Sequence, residues 1–287
     1  MLAYDILGSG PGLILLPGIG GSATDTWEAL SADLAVTHTV VLADLPGSSR
    51  GRLPSGPLQL EVLADQVVAT ARQAGLRNFV IAGTSLGAAV AVKVAARHPD
   101  RVRGLFTLAG FARPRTTLWL SLEMWASLHA HRDDKLSAFV TSVAFSEDYL
   151  ADLTPEAARR LTARLVASAP GAAQQIALAL RTDLRADLPS ITAPTLVVSA
   201  TGDRLVAPEH SVELAEGIPG ARLAAVRGGH AATIEEPGRT LEILAGFLRD
   251  IRRTRSADSA TLVLPRPANP DPQLLPTSPQ PRNPHRC

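Results

Sequence analysis

The sequence predicts an α/β fold: a mostly parallel, doubly wound sheet with helices on both faces, interrupted by a helical insertion. Three observations carry that reading. Short apolar runs alternate with helical patterns, the alternation stops between Phe111 and Leu188, and the turn Gly83-Thr84-Ser85-Leu86-Gly87 joins a strand run to a helical one.

Taken in order, the strand runs are Leu13 to Leu16, Thr39 to Ala43, Asn78 to Ala82, Val102 to Ala109, Thr195 to Ser199 and Arg222 to Val226. Most are too short and too uniformly apolar to be surface helices, as expected for strands buried on both faces. Between them lie helical patterns at Trp27 to Leu34, Leu58 to Ala74, Gly87 to Arg97, Glu209 to Glu216 and Pro237 to Arg249. This alternation implies right-handed crossovers and a parallel sheet. The chain starts Met1-Leu2-Ala3-Tyr4, so an early antiparallel edge strand is expected to be short or absent. Within the insertion, Leu118 to His129, Asp134 to Ala144, Pro155 to Ala167 and Ala172 to Leu180 read as helices. The core therefore comprises residues 1–111 and 189–253, and the insertion residues 112–188. Residues 254–287 include Pro265, Pro267, Pro270 and Pro272 and have little periodicity, so they are expected to form a disordered tail.

Composition narrows the function classes. A chain of 287 residues that is 46% hydrophobic buries a full core, and a net charge of +1 offers no electrostatic case for nucleic acid or an anionic membrane. The expected partner is a small molecule. The only cysteine, Cys287, permits no intramolecular disulfide and no thiolate zinc cluster, and no cofactor or metal is expected. With neither a signal-peptide pattern nor a long apolar run, the expected location is the cytoplasm. Oligomeric state is left open.

Chemistry concentrates at Ser85. A serine at the tip of a tight strand-to-helix corner takes a strained backbone, and residues two positions either side must be nearly free of side chain; Gly83 and Gly87 meet that need. The helix that follows aims unpaired N–H groups at the serine, so the Leu86 N–H can receive an oxyanion. A hydroxyl nucleophile also requires a base, and the base a carboxylate. Asp203 follows the run Thr195 to Ser199, and Gly228-Gly229-His230 follows Arg222 to Val226. Each of the three thus stands just past the carboxyl end of a predicted strand, where ligands of open α/β sheets collect. The plainer readings are a helix-cap serine, a turn aspartate and a surface histidine. The co-occurrence of all three favours a triad.

With Leu13 to Gly21, Asp44-Leu45-Pro46-Gly47, the Ser85 turn, His98-Pro99-Asp100-Arg101-Val102, Asp203 and His230 in view, the chain resembles the α/β-hydrolase superfamily from about Tyr4 to Phe247. The resemblance implies that the loop after the first long strand supplies a second oxyanion donor, at Ile19. It also implies that the insertion forms a lid over the active site. The family usually has His-Gly where this chain has Pro17-Gly18. On the lid, Trp119 and Trp125 are candidate substrate-binding aromatics and Arg113 a candidate carboxylate clamp; internal packing and a solvated hinge charge are the plainer readings.

The expected activity is hydrolysis of an ester, lactone or thioester of a small, largely apolar substrate through an acyl-enzyme on Ser85. The alternatives are elimination, cyclisation or acyl transfer with the same triad, and a non-catalytic ligand-binding protein. A carboxylate nucleophile, as haloalkane chemistry requires, is absent at Ser85.

Overall fold

In the computed structural model, β2 Gly12–Leu16, β3 Thr39–Asp44, β4 Phe79–Thr84, β5 Val102–Leu108, β6 Thr195–Ala200 and β7 Arg222–Val226 run parallel, and β1 Ala3–Leu7 pairs antiparallel with β3. The structure describes residues 1–48, 50–164 and 169–261. Strand order is β1-β3-β2-β4-β5-β6-β7. The chain leaves β2 for β3 on one side and returns to β4 on the other, so the order reverses at β2. Ligand crevices of open α/β sheets form at such a switch, outside the carboxyl ends of the strands.

The strands fold as they do because both faces are covered. Every residue of β2, β4 and β6 is buried. Alternate side chains divide between two cores. Ile14, Leu16, Val41 and Ile81 pack with α2 (Leu60–Gln73) and α3 (Leu86–Arg97), whereas Leu13, Leu15, Val40 and Val80 pack with α1 (Ala23–Ala35) and α11 (Pro237–Thr261). Each full burial of such a side chain contributes about 1.5–3 kcal/mol. The α3 helix is apolar on nearly all sides, as a helix enclosed between sheet and neighbours must be. Its one buried cation, Lys93, reaches Asp187 at 2.7 Å and Glu61 at 3.1 Å.

Between β5 and β6 stand α4 (Thr116–Ala130), α5 (Leu136–Ala144), α6 (Glu147–Ala151), α7 (Pro155–Arg164) and α8 (Ala172–Leu180). The helix α9 (Glu209–Gly217) follows β6, and the single turn α10 (Ala232–Glu235) precedes α11. Four elements depart from the sequence reading or add to it. The edge strand β1 is present, all five residues registered against β3; its alternating Tyr4, Asp5 and Ile6 gave only a half-exposed pattern. The turns α6 and α10 are too short to show periodicity. The last helix runs to Thr261, because residues 254–261 contain no proline to stop it. The rest of the expected tail, residues 262–287, lies outside the described residues.

Candidate active site

Ser85 is held at φ 56° and ψ −123°, between β4 and α3, and its own N–H donates to Leu108 O at 3.1 Å in β5. Positive φ is costly for a residue with a Cβ, and a local hydrogen bond and close packing sustain it here. The flanking glycines are sterically obligatory. A Cβ on Gly83 would lie 2.2 Å from Gly87 O, and one on Gly87 would lie 2.4 Å from Pro17 O. The turn therefore presses directly on the loop that follows β2. On that loop, a Cβ on Gly18 would sit 3.1 Å from the Ser85 Cβ, so Gly18 lets the backbone approach the serine. Leu86 is the first residue of α3, and Ala88 and Ala89 donate to Ser85 O. Leu86 and Gly87 are then the first-turn donors outside the helix ladder.

The Asp203 carboxylate, buried behind β6, accepts from the Leu205 and Val206 N–H groups through Oδ1 at 2.9 and 2.8 Å. Its Oδ2 lies 2.7 Å from His230 Nδ1. A carboxylate can only accept, so Nδ1 donates and Nε2 is the ring atom free to take a proton. The two loops that carry this pair are stitched together: Gly202 N–H donates to Gly228 O at 2.8 Å and Thr201 N–H to Val226 O at 3.0 Å.

Ser85, His230, Ile19 and Trp125 all line one cavity of about 160 Å³, with Leu205, Ala144 and Ile234 completing its apolar wall. Arg113 and Trp119, expected beside substrate, are elsewhere. They line a surface groove of about 710 Å³ with Glu209, Glu213 and Glu216, where Arg113 pairs with Glu213 at 3.4 Å. Helix geometry explains the difference. Leu118, Leu122 and Trp125 share the buried face of α4, and Trp119 is rotated off it and 44% exposed. Phe145 is fully buried and stacks on Tyr149 at 5.2 Å, as internal packing of the insertion.

The contacts made by two neighbours of the site, Gln175 and Glu235, escaped the sequence reading. Gln175 on α8 is fully buried; its Oε1 accepts from Gly20 N–H at 2.7 Å and its Nε2 donates to Pro46 O at 2.9 Å. Glu235 accepts from Gly229 N–H and Ser146 N–H, each at 3.0 Å, and from Ser146 Oγ at 2.6 Å. The available signal for Gln175 was a polar residue on the apolar stripe Ala172, Ile176, Ala179. Nothing local pointed from Glu235 to Ser146.

Residues 11–237 match the family model described as the alpha/beta hydrolase fold. The chain belongs to the α/β-hydrolase family. A pyrrolizixenacetamide deacetylase of Xenorhabdus hominickii is 31% identical over 250 residues, covering 86% of this chain and 94% of that protein. A candidate carbamate hydrolase of Azorhizobium caulinodans is 31% identical over 259 residues, covering 87% and 96%. Among solved structures, the enol-lactonase from Burkholderia xenovorans LB400 superposes with a TM-score of 0.76 at 26% identity, covering 86% and 96% of the two chains. This α/β-hydrolase is accordingly an enzyme with hydrolase relatives along most of its length. No helix among its described residues is long and apolar enough to cross a membrane.

Proposed function

We propose that this hydrolase cleaves a small, largely apolar ester, lactone or thioester through an acyl-enzyme on Ser85. The observation that carries the reading is the shared cavity: the strained serine and the histidine already paired to a buried aspartate line the same apolar space. Ser85 Oγ attacks the acyl carbon while His230 Nε2 takes its proton; Asp203 holds the ring and stabilises the imidazolium. The tetrahedral oxyanion is received by the N–H groups of Ile19 and Leu86. His230 then protonates the leaving group, and a water activated by the same nitrogen releases the acid.

The cavity favours a small acyl group. At about 160 Å³ it matches the scale of a space that holds one benzene. Acyl groups from acetyl to benzoyl fit that volume, and a long fatty acyl chain would have to extend out through the open side of the cavity. Residues 112–188 act as the lid, contributing Trp125 and Ala144 to the wall. Deacetylase, carbamate hydrolase and enol-lactonase are all names for attack at an acyl carbon, so the substrate panel extends to acetamides and carbamates. The test is turnover of short esters, thioesters, lactones, acetamides and carbamates in ¹⁸O water, with exchange controls. Label in the released acid is expected. An unlabelled acid from a substrate that is nevertheless consumed would replace hydrolysis by elimination or intramolecular transfer.

A further inference from the structure

We propose that Gln175 is the positioning residue of the oxyanion loop, holding from the lid a glycine-rich segment that has no rigidity of its own. The inference rests on the Ser85 hydrolase reading and adds to it a residue 155 positions from the loop it controls.

The loop after β2 reads Pro17-Gly18-Ile19-Gly20-Gly21. Three glycines in five residues leave many backbone conformations, yet an oxyanion donor is useful only when its N–H is fixed to within a fraction of an ångström. Gly20 has a φ of 75°, a conformation that glycine adopts freely and equally leaves freely. Its N–H belongs to the peptide that follows Ile19. The Gln175 Oε1 at 2.7 Å restrains that peptide, which begins one bond beyond the Ile19 Cα, and so limits how far Ile19 and its N–H can turn.

The amide itself is held so that it cannot turn. Nε2 donates to Pro46 O at 2.9 Å and to Ser48 Oγ at 3.4 Å. Rotating the amide would set its oxygen against the Pro46 carbonyl and its NH₂ against the Gly20 N–H, so only one orientation pairs both ends. The helix that carries Gln175 is also docked closely. Gly171 N–H donates to Gly47 O at 2.9 Å, and a Cβ on Gly171 would lie 2.2 Å from Gly47 Cα. Only a glycine pair allows this approach, and the approach brings the amide within reach of both loops. One side chain thus joins the loop after β2, the loop after β3 and the lid.

The test uses a fluorophosphonate, whose attack by the serine develops charge on the phosphoryl oxygen held by the same donors. Its inactivation rate at saturation is compared with its half-saturating concentration for wild type, Gln175→Met and Gln175→Glu, well below each melting temperature. For Gln175→Met the saturating rate is expected to fall ~10- to 100-fold, as loss or misplacement of one oxyanion donor does. The half-saturating concentration should stay within about threefold, because initial binding does not use the oxyanion donors. Gln175→Glu keeps the acceptor for Gly20 and donates to Pro46 only when protonated, so its rate relative to wild type should rise as pH falls. That ratio decides the matter even if Gln175→Met does not fold. Gly171→Ala, with Gln175 intact, should reproduce the rate defect by lifting α8. Wild-type-like inactivation of Gln175→Met, a defect confined to half-saturation, or a pH-independent Gln175→Glu ratio would each overturn the proposal. Wild type that is not labelled at all would remove the nucleophile, and with it the reading beneath.

Discussion

Two glycine-rich loops flank Ser85, and they are held in different ways. The loop Gly18–Gly21 is pinned by Gln175, supplied from a distant helix, whereas Gly228-Gly229-His230 is pinned by Glu235, six residues from Gly229. Glycine serves both loops for the same reason, close approach of backbone to a neighbour. A Cβ on Gly18 would crowd Ser85, and one on Gly229 would lie 2.5 Å from Ser146 N. Freedom gained for approach is freedom that must then be removed, and each loop meets that need with one polar side chain accepting its N–H. The insertion takes part in both: Gln175 belongs to it directly, and Glu235 reaches Ser146 at the start of α6. Ala231 N–H also donates to Ala144 O at 2.8 Å. The inserted helices are therefore bonded to both loops rather than merely resting above them.

The largest effects should come from the histidine side of this comparison. Asp203→Asn keeps the shape but reverses the donor and acceptor demands at Nδ1, so kcat is expected to drop about 10⁴-fold, the scale of the same change in a serine protease triad. Steady-state kinetics on any turned-over ester would measure it; normal turnover would mean that a different carboxylate orients His230. Glu235 does not serve as that carboxylate, because its oxygens are already committed to Gly229 and Ser146.

Glu235→Ala should rank second. It strands the Gly229 and Ser146 donors, at a cost of about 1–3 kcal/mol for each group left buried without a partner. Thermal or urea unfolding should show the loss, and kcat should fall because the loop carrying His230 is released. A variant as stable as wild type would show that the insertion does not depend on this contact. A smaller, more selective change is expected at the cavity wall. Trp125→Ala removes the bulkiest lining side chain, so the preferred acyl group should lengthen, with the ratio of hexanoyl to acetyl ester kcat/KM rising about tenfold, on the scale of one or two well-packed methylenes. An unchanged ratio would detach Trp125 from substrate.

The smallest expected effect concerns His210, which joins the start of the insertion to α9. Arg115 N–H can only donate, so His210 Nε2 accepts it at 3.1 Å, and Nδ1 donates to Ala207 O at 2.9 Å. Burial lowers the imidazole pKa from its ordinary 6.5; the Ala207 carbonyl, Glu213 and Asp203 oppose that shift and Arg115 adds to it. A depressed pKa means that the folded state binds fewer protons than the unfolded one. His210 therefore contributes fully above about pH 6.5, and its contribution is lost as pH falls below that value. Melting temperature measured from pH 7.5 to 5 should fall more steeply for wild type than for His210→Gln. Parallel curves would show that this histidine is not the group titrating.

How much of this was legible in the chain follows the same division between local and distant. β2, β4 and β6 were readable because burial on both faces demands unbroken apolar runs, and the Ser85 turn because its glycines are neighbours in sequence. The Asp203–His230 pairing was readable from position alone, each residue following a strand. Arg113 and Trp119 were placed beside substrate by proximity in sequence, yet the turn of α4 carries Trp119 to another face. Gln175 stood out only as a polar residue on the apolar stripe of α8, and its partners Gly20 and Pro46 lie on loops whose meeting with α8 only the folded chain defines.

The proposed chemistry stands or falls on Ser85 as the nucleophile. Fluorophosphonate treatment of the folded wild-type protein, read by intact mass and peptide mapping, tests it without knowledge of the substrate. One adduct per chain is expected, on Ser85, and none on Ser85→Ala or on wild type unfolded before treatment. Adduct on another residue, or no adduct on a correctly folded chain, would contradict it.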